Sequence, residues 1–112
     1  MKKTKLGEFE ELVLLTVAAL QEDAYGLRIK QELEERLRED LSMGSIQSAL
    51  KRLEEKGFLK SEFGDATPQR GGKRKRIYEI TPYAHRTLAE LKAIRADLWK
   101  SIPKLAGSLK TI

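Results

Sequence analysis

Apolar positions repeat at helical spacing in three early stretches, alternate through a short middle region, and return as a heptad near the end. Phe9, Leu12, Val13 and Leu20 share one helical face, and Leu14, Leu15 and Val17 widen it almost all round. The spacing predicts a first helix over Glu8 to Gln21, placed at the centre of a small domain or at a dimer seam. Glu8, Glu10 and Glu11 suit the positive end of its dipole. Ile29, Leu33 and Leu37 predict a second helix from Ala24 to Glu39, with Asp23 as its N-cap. Gly26 costs that helix about 1 kcal/mol relative to alanine, which implies close approach to a neighbouring helix. Ile46, Ala49, Leu50 and Leu53 predict a third helix over Met43 to Lys56, opened by Ser42 and closed by Gly57.

Beyond Gly57 the period shortens. Phe58 to Phe63 and Arg74 to Thr81 read as strands around a loop rich in turn formers, Gly64 to Gly72, and so as a hairpin. Thr81-Pro82 opens a last helix. Ala84, Leu88, Leu91, Leu98 and Ile102 form a heptad seam along it, whose vacant position is Arg95. Pro103 kinks or ends it, and Gly107 to Ile112 is expected to fray.

Three helices, a hairpin and a fourth helix, with a short joint between helices two and three, make the winged helix-turn-helix plan. The expected fold class is mainly α with a small β-hairpin: a winged helix-turn-helix plus a long C-terminal helix, as a homodimer. Residues 1–81 would form the DNA-binding domain and 82–112 the dimerisation helix and tail. Dimerisation would use Leu88, Leu91, Arg95, Leu98 and Ile102.

A chain of 112 residues can bury one core without staples, and the absence of cysteine excludes disulfides, thiol catalysis and cysteine-based zinc sites. No apolar run approaches the roughly 20 residues of a membrane span. The basic start is followed at once by glutamates, with no cleavage pattern, so a cytoplasmic location is expected. The net charge of +5 is uneven: residues 1–40 carry 7 Lys/Arg against 10 Asp/Glu, 41–80 carry 9 against 5, and 81–112 carry 6 against 2. A polyanion would meet the later segments.

The chemistry there suits DNA. On the third helix Gln47, Ser48, Lys51 and Arg52 lie opposite the core stripe, placed for base edges or phosphates. Ser42, Ser45 and the helix N-terminus suit a phosphate. The wing adds Gln69, Arg70, Lys73, Arg74, Lys75 and Arg76, with Gly71-Gly72 allowing close backbone approach. Taken singly, Lys51 and Arg52 also fit a solvated helix face, and Lys73 to Arg76 a solubilising strand edge. A winged-helix adaptor that binds protein, using its basic residues for solubility, is the alternative reading.

Four blocks carry a family resemblance: Leu6-Gly7-Glu8-Phe9-Glu10, Ala24-Tyr25-Gly26-Leu27, Leu50 to Gly57, and Gly71 to Thr81. Across about Leu6 to Trp99 the chain resembles the PadR family of bacterial transcriptional regulators, in its short subfamily with one C-terminal helix. The resemblance implies a dimeric repressor of nearby genes, acting on a pseudo-palindromic operator in double-stranded DNA and released in several members by a small aromatic ligand. Two positions depart from the pattern: Gln47 stands where members commonly carry tyrosine, and Ala84 where many carry glycine. Gln47 suits bidentate reading of adenine.

His85, the only histidine in a chain without cysteines, makes no metal site without carboxylates gathered from afar, and no nucleophile elbow or phosphate-binding glycine loop supports an enzyme. No cofactor, metal or catalytic residue is expected. Trp99 reads as a dimer anchor or, with Ile94 and Arg95, as the wall of a flat ligand pocket. Arg95 needs a carboxylate such as Asp97 or one from the first helix, or else lines a solvent-filled gap between protomers.

Overall fold

The computed structural model describes residues 6–66 and 74–103. Its elements are α1 (Glu8–Leu20), α2 (Gly26–Leu37), α3 (Met43–Glu55), β1 (Leu59–Ala66), β2 (Arg74–Ile80) and α4 (Pro82–Ser101). This is the winged helix-turn-helix order with a long final helix. Gln69, Arg70, Lys73 and the expected frayed tail lie outside the described residues.

Helix α1 is the central post. Val13, Leu14 and Val17 are fully buried against Ile29, Leu33, Ile46, Ala49, Leu50, Leu53 and Phe58, so α2, α3 and the start of the hairpin share one core. The four residues of the α3 stripe, Ile46, Ala49, Leu50 and Leu53, are all in it, as their spacing requires. Ser42 caps α3 by accepting the Ser45 N–H at 3.0 Å. Gly57 adopts φ +86° just beyond the helix, a conformation that favours glycine.

The start of α2 departs from expectation. Asp23 does not cap it; Gln21–Asp23 form a single 3-10 turn, and the helix begins at Gly26 with Tyr25 at the N-cap position. The reason is tertiary. The Ala24 carbonyl accepts the Tyr78 N–H at 2.8 Å, and Tyr25 bridges antiparallel to Ile77. These two residues run beside β2, held by this one hydrogen bond and a single isolated bridge, instead of winding into the helix. At its other end α2 stops at Leu37, with Arg38 left-handed at φ 59°. Glu34 then fastens the turn into α3, accepting the Leu41 N–H at 2.9 Å and pairing with Lys30 at 3.0 Å. These contacts, the Leu41 bond foremost, lower its pKa.

Strands β1 and β2 pair antiparallel from Leu59↔Ile80 to Phe63↔Arg76, with an irregularity before Ala66↔Arg74. Thr81 ties the hairpin to both neighbouring helices. Its hydroxyl donates to the Gly57 carbonyl at 2.8 Å and accepts the Ala84 N–H at 3.1 Å, capping α4. Phe58 and Tyr83 stack with centroids 4.7 Å apart, and Ala84 is fully buried, so the first turn of α4 belongs to the core.

Candidate nucleic-acid interface

Four of the expected contact residues on α3 stand together. Ser45, Gln47, Ser48 and Lys51 are exposed on the side away from Ile46, Ala49, Leu50 and Leu53. Ser42 and Ser45 share the N-terminal turn, and the Ser45 hydroxyl donates back to the Ser42 carbonyl at 2.9 Å. The first-turn backbone N–H groups beyond the capped Ser45 make the positive end of the helix, which is chemistry for a phosphate oxygen.

Arg52 is placed differently from Lys51. Its Nε donates to Glu10 on α1 at 2.8 Å, and Lys56 Nζ reaches the other oxygen of the same carboxylate at 2.8 Å. Burial pushes the Glu10 carboxyl upward. The bonds from Lys56, the Gly7 N–H and Arg52 outweigh it and hold the pKa at about 2. Arg52 is thus a strut between α3 and α1, with its half-exposed guanidinium at the rim of the helix face.

The cations of β2 divide between two faces by strand alternation. Arg74 and Arg76 lie on one, each with its guanidinium carbon 5.6 Å from the centroid of the exposed Phe63 ring. Arg74 also donates to the Gly64 carbonyl at 3.0 Å, and Arg76 to Ser61 Oγ at 2.9 Å. Glu54 of α3 joins this group by accepting Ser61 Oγ–H at 2.8 Å. Lys75 lies on the other face, with Nζ 4.1 Å from the centroid of the Tyr25 ring. Sequence reasoning missed Glu10, Glu54, Phe63 and Tyr25 as organisers of this surface. Only Tyr25 carried a local signal, as the aromatic beside an unusual helix-start glycine.

A helix that turns a polar, cationic face outward beside a basic hairpin has counterparts among known proteins. Residues 14–90, more than half of the chain, match the transcriptional regulator PadR-like family. The chain belongs to the PadR-like family. The PadR-like fold is also what the solved structures show. A PadR-like transcription factor from Bacteroides fragilis is 26% identical with a TM-score of 0.72, over 88% of this chain and 89% of that one. A PadR family regulator from Eggerthella lenta is 28% identical with a TM-score of 0.65, over 88% and 85%. Another from Clostridium difficile is 27% identical with a TM-score of 0.59, over 92% and 98%. No curated protein sequence matches the chain with significance.

In this PadR-like chain the seam of α4 splits in two. Ala84 is in the core and Leu88 packs against it, with Leu91 half-buried. Farther along, Ile94, Leu98 and Trp99 are 54, 63 and 62% exposed, and Ile102 is half-buried. Arg95 is answered by the first helix: both of its terminal nitrogens donate to the Glu11 carboxylate, one at 2.7 Å. This fork-to-fork pair is part of the lining of a groove of about 480 Å³ between α1 and α4, with Leu15, Ala18, Leu88, Ala89 and Lys92. Among the described residues, no helix is long and apolar enough to cross a membrane.

Proposed function

We propose that the chain is a homodimeric, sequence-specific DNA-binding repressor that acts in the cytoplasm on a pseudo-palindromic operator. Residues 1–81 would serve as the DNA-binding domain, and 82–112 as the dimerisation helix and tail. Helix α3 enters the major groove with Gln47, Ser48 and Lys51 toward base edges, while Ser42, Ser45 and the rim residue Arg52 meet phosphates. The wing, from Gln69 through Arg76, tracks the flanking backbone. Leu88, Leu91, Leu98 and Ile102 join the two protomers, with Arg95 beside them.

The observation that carries this reading is the division of α3. Ile46, Ala49, Leu50 and Leu53 are buried, and Ser45, Gln47, Ser48 and Lys51 form an exposed face beside a cationic strand, in a chain of a transcriptional regulator family. A gel-shift series across salt concentration tests it, comparing the chain's own upstream promoter with random DNA. Binding is expected to fall steeply with salt and to prefer the promoter. The absence of either would remove the reading, and a co-purifying protein without DNA affinity would favour the adaptor alternative. Release by a small aromatic ligand is supported by the exposed indole of Trp99, close in sequence to Ile94 and Arg95. Titration of aromatic compounds against Trp99 fluorescence tests it, and unchanged emission throughout would dismiss it.

A further inference from the structure

The wing and the recognition helix meet at one short segment, Ala24 to Gly26. Ala24 and Tyr25 hold β2 through a backbone hydrogen bond and a bridge. The next residue touches α3: a Cβ on Gly26 would lie 2.7 Å from Met43 Cε and 3.0 Å from Gln47 Nε2. Between the two elements runs a cleft of about 240 Å³, whose lining includes Tyr25, Met43, Gln47 and Lys75. Lys75 shares the face of β2 that carries Ile77, the bridge partner of Tyr25, and its ammonium rests over the Tyr25 ring. Arg74 and Arg76 also line the cleft, but their guanidinium groups are engaged by Phe63, Gly64 and Ser61.

We propose that Tyr25 is a positioning residue that seats the Lys75 ammonium for a DNA backbone phosphate lying in this cleft. The proposal rests on the DNA-binding reading above. A lysine side chain loses much rotamer freedom when a ligand fixes it, and an aromatic face that already holds the ammonium removes part of that loss beforehand. The ring occupies one side of the ammonium. Its N–H donors on the other sides stay available to phosphate oxygens.

The test is a double-mutant cycle on the full chain, with a fluorescent mixed-sequence duplex as probe, because a phosphate contact needs no particular base. Lys75→Gln and Tyr25→Leu are each expected to weaken binding, by about threefold for the ring. Lys75→Gln should also lower the slope of log affinity against log salt by about 0.9. The double variant should bind no worse than Lys75→Gln alone, and Tyr25→Phe should bind like the unaltered chain. Losses that multiply in the double variant would overturn the proposal. If Tyr25→Leu does not fold, the Lys75 ε-methylene protons of the unaltered chain give a second reading. An upfield ring-current shift is expected, and ordinary lysine shifts would overturn the seat. An unaltered chain without salt-dependent DNA binding would remove the DNA-binding reading itself, and this proposal with it.

Discussion

Helix α3 and strand β2 offer polar residues to solvent on different terms. The helix is secured by its apolar side, where Ile46, Ala49, Leu50 and Leu53 are fully buried, so Gln47, Ser48 and Lys51 are not needed to hold it in place. The strand is secured partly by its own cations: Arg74 and Arg76 flank Phe63, and Lys75 lies on Tyr25. On the proposed DNA-binding reading, removing a charge from the helix should cost recognition alone, whereas removing one from the wing should also alter its shape. Arg52 is the exception on the helix, because Glu10 makes it part of the scaffold.

The largest effect that separates the two regions is on stability. Leu50→Ala should cost about 2–5 kcal/mol in denaturant unfolding, since a fully buried leucine leaves a cavity among rigid neighbours. Phe63→Ala, at an exposed ring of the wing, should cost about 1 kcal/mol or less. Comparable losses at both positions would break the comparison.

Next comes the strut. Glu10→Gln should cost about 2 kcal/mol, less than a fully buried ion pair because Arg52 remains half-exposed. The effect has a pH signature. The folded-state pKa of about 2 lies below the ordinary 4.5, so this stabilisation is complete above about pH 4.5 and is lost as pH falls toward 2. Melting curves between pH 7 and pH 2 should converge for the unaltered chain and Glu10→Gln. A gap that stays constant would contradict the assignment.

Much of this arrangement was legible locally. The third helix, its Ser42 cap and its Gly57 stop follow from spacing and capping chemistry, and the close approach at Gly26 was legible from the glycine, although the structure makes it the first residue of α2 and not an interior one. Arg95 needed a carboxylate, and Glu11 on the first helix supplies it. What local pattern could not carry was the use of residues far apart in sequence. Glu10 and Glu11 read as first-turn acids for a helix dipole, yet they bind partners on α3 and α4. Asp23 had the chemistry of a cap, but pairing of Ala24 and Tyr25 with the wing moved the helix start to Gly26.

Two smaller effects sharpen the contrast at the surface proposed to meet DNA. Lys51→Ala should weaken promoter binding about tenfold and change stability by no more than about 0.5 kcal/mol. Arg52→Ala should lower both, by about 1 kcal/mol in stability, because it releases Glu10. Equal melting temperatures for these two variants would show that Arg52 is not a strut. Gly26→Ala should change stability by about 1 kcal/mol or less, as alanine's helix preference offsets the displacement of two flexible side-chain ends. Its mark should instead be an altered base preference at the position Gln47 is proposed to read, measured with single-substitution operator duplexes.

The most direct test of the central claim is a chemical footprint of the unaltered chain on its own upstream DNA, with Lys51→Ala as control. Helix α3 of each protomer in the major groove should protect two patches on one face of the duplex, about 10 bp or a multiple of it apart. Both patches should weaken together in Lys51→Ala. Uniform protection without paired patches, or a pattern unaffected by Lys51→Ala, would contradict it.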